Sequence, residues 1–123
     1  MTKNKKYSDE EIKELAIKAA RLAENKKALD IKLLDLRKIT SMTDYFIICT
    51  GEVEEHVKAI VKSVEKGLIK TDNFKAYHIE GYNNANWVVM DYFDFVVHIF
   101  KPESREYYNL EKLWGDAPEV QFA

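Results

Sequence analysis

The chain has few of the residues that mark covalent cross-links or metal sites. One cysteine, two prolines and four glycines occur in 123 residues. A lone thiol can form neither an internal disulfide nor a zinc site, so we expect Cys49 to be a small buried hydrophobic residue. The sequence shows no signal peptide and no apolar run long enough to cross a bilayer. We therefore expect a cytoplasmic protein without a membrane partner.

An excess of charge of one sign is also lacking. Lysine and arginine number 19 against 21 aspartates and glutamates, giving a formal net charge of −2. Such a balance predicts no general attraction to nucleic acid, so we expect no specific nucleic-acid partner. The lysines near the N-terminus, Lys3, Lys5 and Lys6, lie in residues 1–7, which we predict to be a flexible basic tail.

Apolar residues are plentiful and are spread through the chain, which indicates one folded domain over residues 1–123. Ser8 and Glu11 have the spacing of a capping box, so a first helix should begin there and end near Asn25. A second helix should follow Gly51 and end near Gly67. Its predicted buried stripe consists of Val53, Val57, Ile60, Val61, Val64 and Leu68.

The remaining apolar segments predict strands. Residues 29–33 alternate, and Leu34 and Leu36 break that register, so we expect there either a bulge or a strand leaving the sheet. The continuously apolar residues 44–50 predict a central strand. Residues 74–80 form a weaker strand, and residues 87–92 and 95–100 form a hairpin. The predicted fold is an α/β domain, with a mixed sheet of about five strands flanked by helices and including a βαβ unit.

The end of the chain predicts a short helix that starts at Pro102, the first helical position that proline favours. Leu110, Leu113 and Trp114 should pack its last turn against the domain. Residues 116–123 then form a C-terminal tail.

The first strand of the hairpin presents different side chains on its two faces. Trp87, Val89 and Asp91 point one way, and Val88, Met90 and Tyr92 point the other. Alternation alone does not decide which face is the outer one. A strand that is apolar on both faces and lies near the outside of a sheet leaves an exposed apolar surface. Either the protein itself or a partner must cover that surface.

A search for catalytic residues is negative. Thr50 and Gly51 between a strand and a helix resemble the phosphate-binding turn of nucleotidyltransferases. That chemistry also needs two carboxylates one residue apart to clamp metal ions, and no such pair follows. Glu52 would repel a phosphate. We therefore expect no catalytic residue, no cofactor and no metal, and hence no enzyme.

The three histidines, His56, His78 and His98, have no metal-ligand spacing. We predict that His98 is a core histidine hydrogen-bonded to a neighbour. His56 should be solvated on its helix.

Several blocks resemble the ribosomal silencing factor (iojap-like) family: residues 43–51 (TDYFIICTG), 80–81 (EG), 86–92 (NWVVMDY) and 97–114 (VHIFKPESREYYNLEKLW). The resemblance extends from the first helix to Pro118. It implies a nucleotidyltransferase-like sheet without catalytic carboxylates. It also implies binding to the large ribosomal subunit through its ribosomal protein fourteen, which blocks joining of the small subunit. Translation would thereby be repressed when nutrients are limiting.

The resemblance also implies where the partner binds. Carried over by motif, the partner-binding residues are Trp87, Val89, Met90, Asp91 and Tyr92, with Asp94 at the turn. Relatives usually carry glycine where this chain has Phe93. Because a bulky residue resists positive φ, we expect Asp94 to take the special turn conformation and Phe93 to be an exposed aromatic residue.

Two other interpretations remain open. The free protein could be a homodimer in which the apolar strand is covered by its own copy. Alternatively, Thr50, Gly51 and the following helix could bind a nucleotide without turnover.

Overall fold

The structure, a computed structural model, describes residues 7–122. The helices and strands are, in chain order, α1 (Asp9–Asn25), β1 (Leu29–Asp35), β2 (Tyr45–Thr50), α2 (Glu54–Asp72), β3 (His78–Glu80), β4 (Trp87–Asp91), β5 (Phe95–Phe100), α3 (Pro102–Tyr108) and α4 (Leu110–Leu113). The flexible tail predicted at residues 1–7 lies outside the described residues except for Tyr7. The Tyr7 ring packs edge-on against Phe74, with ring centroids 5.3 Å apart.

The five strands form one mixed sheet in the order β1-β2-β5-β4-β3. Strands β2 and β5 are parallel, and every other neighbouring pair is antiparallel. The predicted hairpin is confirmed as β4 and β5. Strand β2 is an interior strand, as its apolar sequence predicts. Strands β2 and β3 run in the same direction around α2, but β5 and β4 lie between them.

Helix α1 begins at the predicted capping box. The Glu11 amide donates to Ser8 Oγ at 3.1 Å, and the Ser8 amide donates to Glu11 Oε1 at 2.9 Å. Both bonds satisfy amides that the first helical turn leaves without partners. None of the helices within residues 7–122 is long and apolar enough to span a membrane.

Helix α2 differs from its prediction at both ends. Val53 is the N-cap residue and is 55% exposed, so it does not belong to the buried stripe, whereas the other five predicted positions are buried. The helix also continues past Gly67 to Asp72, where Asn73 takes the left-handed conformation. A Cβ at Gly67 would lie 2.5 Å from Leu22 Cδ2. The glycine therefore permits close approach of α1 rather than ending α2.

Strand β1 is irregular between Leu29 and Lys32, where Asp30 has a φ of +47°. A bulge near Leu34 and Leu36 was therefore wrong in position, whereas the alternative, a strand leaving the sheet, agrees with the end of β1 at Asp35. The apolar residues there have another cause: Leu33 belongs to the main core on one side of the sheet, and Leu34 and Leu36 belong to a smaller cluster on the opposite side.

The two faces of the sheet are covered unequally. Helices α1 and α2 bury one face, here called the inner face, in the main core, which includes Cys49 as predicted. A smaller cluster lies on the outer face under α3 and α4: Leu34, Leu36, Ile48 and Phe100, with Phe46, Trp87, Leu110, Trp114 and Ala117 packed against it. Leu113 was predicted to pack here but is 77% exposed, because Leu110 and Trp114 occupy the side of α4 that meets the sheet.

Candidate functional site

The outer face of the β4–β5 hairpin combines partly exposed apolar side chains with a carboxylate. Strand pairing places Trp87 beside Phe100, Val89 beside His98 and Asp91 beside Val96. Because alternate residues of a strand share a face, these side chains lie together on one surface. An apolar groove of about 230 Å³ crosses this surface; it is lined by Leu36, Thr40, Met42, Thr43, Phe46, Val89, Asp91, Phe93, Val96, His98 and Trp114. We call this surface the outer groove.

The fold divides the predicted partner-binding residues into two groups. Trp87, Val89 and Asp91 are partly exposed on the outer face. Met90 and Tyr92 are 0% and 1% exposed on the inner face, against the helices. Only one face of β4 points outward, so these two side chains cannot touch a partner directly.

Asp94 is also buried, with 2% of its surface exposed. Its carbonyl accepts the Asp44 amide at 2.9 Å and so joins the turn to the start of β2. Of the six predicted residues, Trp87, Val89 and Asp91 are therefore accessible to a partner, whereas Met90, Tyr92 and Asp94 are buried.

The turn between β4 and β5 departs from its prediction. Phe93, not Asp94, takes the positive φ, at +69°. The Phe93 amide donates to Asp91 Oδ1 at 2.8 Å, and its carbonyl accepts the Thr43 hydroxyl at 2.8 Å. Its ring packs edge-on against Tyr77 with centroids 4.0 Å apart. These contacts hold Phe93 in a conformation that a bulky residue disfavours.

Trp87 is neither a fully buried core residue nor a free surface residue. Its ring stacks on Phe100 with centroids 5.1 Å apart and meets Tyr108 at 4.7 Å. Its indole Nε1–H donates to His98 Nδ1 at 3.1 Å. The tryptophan is therefore held in one orientation while part of it stays available to a partner.

His98 is the polar residue in the floor of this surface, and it is 6% exposed. Burial lowers the pKa of its imidazole to about 4. The prediction of a core histidine satisfied by a neighbour holds for Nδ1, which accepts from Trp87. Nε2 is buried and has no hydrogen-bond partner among the described residues.

Sequence patterns did not identify several residues of the outer groove. Phe46 and Val96 are partly exposed, and Met42 is 70% exposed. The Phe46 and Val96 positions share the outer face through the parallel pairing of β2 with β5. Alternation within each strand could have indicated this, but only once the strand order was known.

Carboxylates border the groove on the β3 side. Asp91 Oδ2 lies 3.8 Å from His78 Nε2, and Glu80 Oε1 lies 3.9 Å from the same nitrogen. These side chains are on the outer face because His78 pairs with Asp91 and Glu80 with Val89. The surface is therefore apolar in its centre and acidic at one margin.

The region around Gly51 offers little to a phosphate. The Gly51 amide donates to the Phe100 carbonyl at 2.9 Å, and Thr50 Oγ1 accepts from Arg105 at 2.9 Å. The Glu52 amide donates to His56 Nδ1 at 2.9 Å. The groups that would hold a phosphate thus already have partners, and carboxylates fill the first turn of α2.

His56, which was expected to be solvated, is partly exposed, but both of its ring nitrogens also have partners within the protein. Besides accepting the Glu52 amide at Nδ1, it places Nε2 2.7 Å from the Lys26 carbonyl. The ring therefore joins the start of α2 to the end of α1. Within residues 7–122, no group of three or more histidine, cysteine, aspartate or glutamate side chains is placed to hold a metal ion.

Comparison with known proteins identifies the family. Residues 9–123 match the model of the family described as "Ribosomal silencing factor during starvation". The chain belongs to this family. The resemblance of its sequence blocks is thereby confirmed.

The relatives match most of the length of the chain. The ribosomal silencing factor of Halalkalibacterium halodurans is 40% identical over 114 residues, covering 93% of this chain and 94% of that protein. That of Bacillus subtilis is 43% identical over 100 residues, covering 81% and 84%. The chloroplastic Iojap protein of Zea mays is 32% identical over 113 residues, covering 92% of this chain and 49% of that protein.

Solved structures support the same α/β fold. A crystal structure of a protein from Chromobacterium violaceum has a TM-score of 0.78 and 37% identity, and it covers 95% of this chain and 93% of that chain. A protein from Bacillus halodurans has a TM-score of 0.74 and 37% identity, covering 92% and 99%. The predicted single α/β domain with a five-stranded mixed sheet is confirmed for the silencing-factor chain.

Proposed function

We propose that this member of the ribosomal silencing factor family binds the large ribosomal subunit with its outer groove. Its contact on the subunit would be ribosomal protein fourteen, and Trp87, Val89 and Asp91 would form the centre of the interface. The bound protein would stand where the small subunit must join and would repress translation when nutrients are limiting. The observation that carries the proposal is a partly exposed Trp87 beside an apolar groove with an acidic margin.

The chemistry of the groove suits a ribosomal protein surface. Such surfaces are commonly basic, so Asp91 and Glu80 at the margin would orient the partner. Trp87 and the apolar groove would supply most of the affinity, because interface hot spots are enriched in tryptophan and tyrosine. A relative from Mus musculus, 34% identical over 95 residues, is named mitochondrial assembly of ribosomal large subunit protein 1. That name supports the large subunit as the partner.

The proposed mechanism is steric, so it requires no catalysis and no cofactor. The chain contributes a shape and a set of contacts, and the effect follows from excluding the small subunit. A cytoplasmic location accords with ribosome binding and remains a prediction. The nucleotidyltransferase-like description of the sheet also remains a prediction.

Replacing Trp87 by alanine tests the proposal. Loss of a central aromatic contact should weaken binding to purified large subunits by at least about 30-fold, the equivalent of ~2 kcal/mol. Co-sedimentation measures the binding, and light scattering measures joining of small subunits. Val53→Ala is the matched control, because Val53 is an exposed apolar residue at the start of α2. It should bind and block joining like the unchanged protein.

Urea unfolding of each variant separates a lost contact from a lost fold. A Trp87→Ala protein that is folded, sediments normally with large subunits and still blocks joining would show that the interface lies elsewhere. Sedimentation velocity on the free proteins tests the homodimer in the same samples. A dimer formed through the outer groove should dissociate in Trp87→Ala and should compete with subunit binding.

A further inference from the structure

The hydrogen bond between Trp87 and His98 fixes which imidazole nitrogen carries the proton. An indole nitrogen can only donate, so His98 Nδ1, 3.1 Å away, must be the accepting nitrogen without a proton. A neutral imidazole carries one proton, which must then reside on Nε2. Trp87 therefore turns the Nε2 side of the ring into a hydrogen-bond donor.

That donor has no acceptor within residues 7–122. The rings packed around His98 belong to Phe46, Trp87 and Phe100, and none of them offers an oxygen. A buried N–H without a partner is costly, and such groups in native proteins call for an explanation. The cost would be relieved by an acceptor brought from outside the chain.

The surroundings of His98 allow such an acceptor to approach. His98 lines the outer groove together with Phe46, Val89 and Val96. These three neighbours are partly exposed, so they border the surface from which an acceptor would reach the ring. Because Nε2 is buried in the free protein, docking must displace at least one of these side chains.

We propose that His98 Nε2–H is a hydrogen-bond donor to the docked partner, oriented by Trp87 as a positioning residue. The occupant is a segment of a basic protein that inserts an apolar side chain into the outer groove and presents a main-chain carbonyl or hydroxyl oxygen to Nε2. Its cationic side chains face Asp91 and Glu80 at the acidic margin. A lysine or arginine cannot replace the oxygen at Nε2, because those side chains have only donors. This proposal rests on the proposed function, in which the same groove binds the large subunit.

The tautomer can be tested on the free protein. Nitrogen NMR of the His98 ring should show a neutral imidazole protonated at Nε2 near pH 7. In Trp87→Phe, which keeps an aromatic ring but removes the indole donor, the preference for that tautomer should decrease. A ring protonated at Nδ1 in the unchanged protein would overturn the proposal.

Two variants of His98 test the role of the donor in binding. Asparagine can place its oxygen near the Nδ1 position and keep the Trp87 bond, but it has no donor at the Nε2 position. Glutamine can place its amide N–H near the Nε2 position. Binding to purified large subunits should be about five- to tenfold weaker for His98→Asn and within about twofold of the unchanged protein for His98→Gln.

The outcomes separate this proposal from the proposed function. If the unchanged protein does not bind large subunits, the proposed function fails and this role of His98 fails with it. If the unchanged protein binds and a folded His98→Asn binds equally well, only the role of His98 is overturned. If His98→Asn does not fold, Trp87→Phe decides: its binding should weaken as its Nε2–H tautomer is depleted, and unchanged binding despite that depletion would overturn the proposal.

Discussion

His98 links the stability of the protein to pH. Its ring is packed among aromatic side chains that carry no charge, and burial lowers its pKa from 6.5 to about 4. The unfolded chain therefore binds a proton at His98 between about pH 6.5 and pH 4, whereas the folded chain does not. Because the unfolded state binds more protons in this window, the contribution of His98 to stability is full above pH 6.5 and is lost as the pH falls towards 4.

Comparison with His98→Gln isolates this effect, since glutamine does not titrate. The free energy of unfolding of the unchanged protein should fall by about 3 kcal/mol relative to that of His98→Gln between pH 7 and pH 4. Urea unfolding at a series of pH values measures the difference. A difference that is constant with pH would show that the ring titrates alike in the folded and unfolded chains.

Prediction of single residues succeeded where strand alternation determines the direction of a side chain. It failed where contacts with residues distant in the sequence determine the conformation. Alternation correctly separated Trp87, Val89 and Asp91 from Met90 and Tyr92. Which group faces outward depends on where α1 and α2 pack, and that is set by the whole sheet. The positive φ of Phe93 was missed for a similar reason, because Tyr77 and Thr43 stabilise it from elsewhere in the sequence.

The loop before β4 determines how Trp87 enters the sheet. Gly81 has a φ of +83°, and Ala85, whose amide donates to the Gly81 carbonyl at 2.9 Å, has a φ of +58°. A Cβ on Gly81 would overlap the Trp87 carbonyl oxygen. Glycine is required here both for the left-handed backbone and for the close approach of the strand.

Gly81→Ala should therefore both lower the stability of the protein and weaken its binding to large subunits. The left-handed conformation alone costs alanine about 1–2 kcal/mol, and the overlap with Trp87 adds to this. Gly115→Ala is the matched control, because a Cβ there would lie 3.4 Å from the Lys112 carbonyl oxygen, an ordinary contact, and the φ of Gly115 is not in the left-handed region. Thermal unfolding and large-subunit binding should both be near normal for the control. Equal stability of the two variants would contradict the requirement for glycine at position 81.

Patterns among residues close in sequence predicted the helices and strands better than they predicted helix ends and β-bulges. The capping box at Ser8 and the apolar stripe of α2 involve residues close in sequence; the capping box is confirmed, and so is the stripe except at Val53. Gly67 was misinterpreted as a helix end because its role is to admit Leu22 of another helix. The bulge of β1 was misplaced for the same kind of reason, since register depends on the pairing strand.

At the scale of the whole molecule, both edges of the sheet are protected against pairing with a strand of another molecule. One edge of the sheet is the three-residue strand β3, too short to recruit much of another strand. The other edge, β1, is closed by the predicted C-terminal tail. The Asp35 amide donates to the Pro118 carbonyl at 2.8 Å, and the Val120 amide donates to the Leu33 carbonyl at 2.7 Å. The outer groove is thus left as an exposed apolar surface while the edges are protected.

Removal of residues 118–123 should expose the β1 edge without touching the outer groove. Two backbone hydrogen bonds and the packing of Val120 and Phe122 on the core would be lost, which should lower the free energy of unfolding by roughly 2–4 kcal/mol.

Arg21→Ala is the control for this truncation. Arg21 donates to the Phe122 carbonyl from an exposed position, so the effect of its removal on the free energy of unfolding should stay below about 1 kcal/mol. Urea unfolding gives the energies, and sedimentation velocity shows whether the truncated chain self-associates through the open edge. Truncated protein that remains folded should still bind large subunits, since its groove is intact. A truncated chain as stable and as monomeric as the full chain would mean that the tail does not protect the edge.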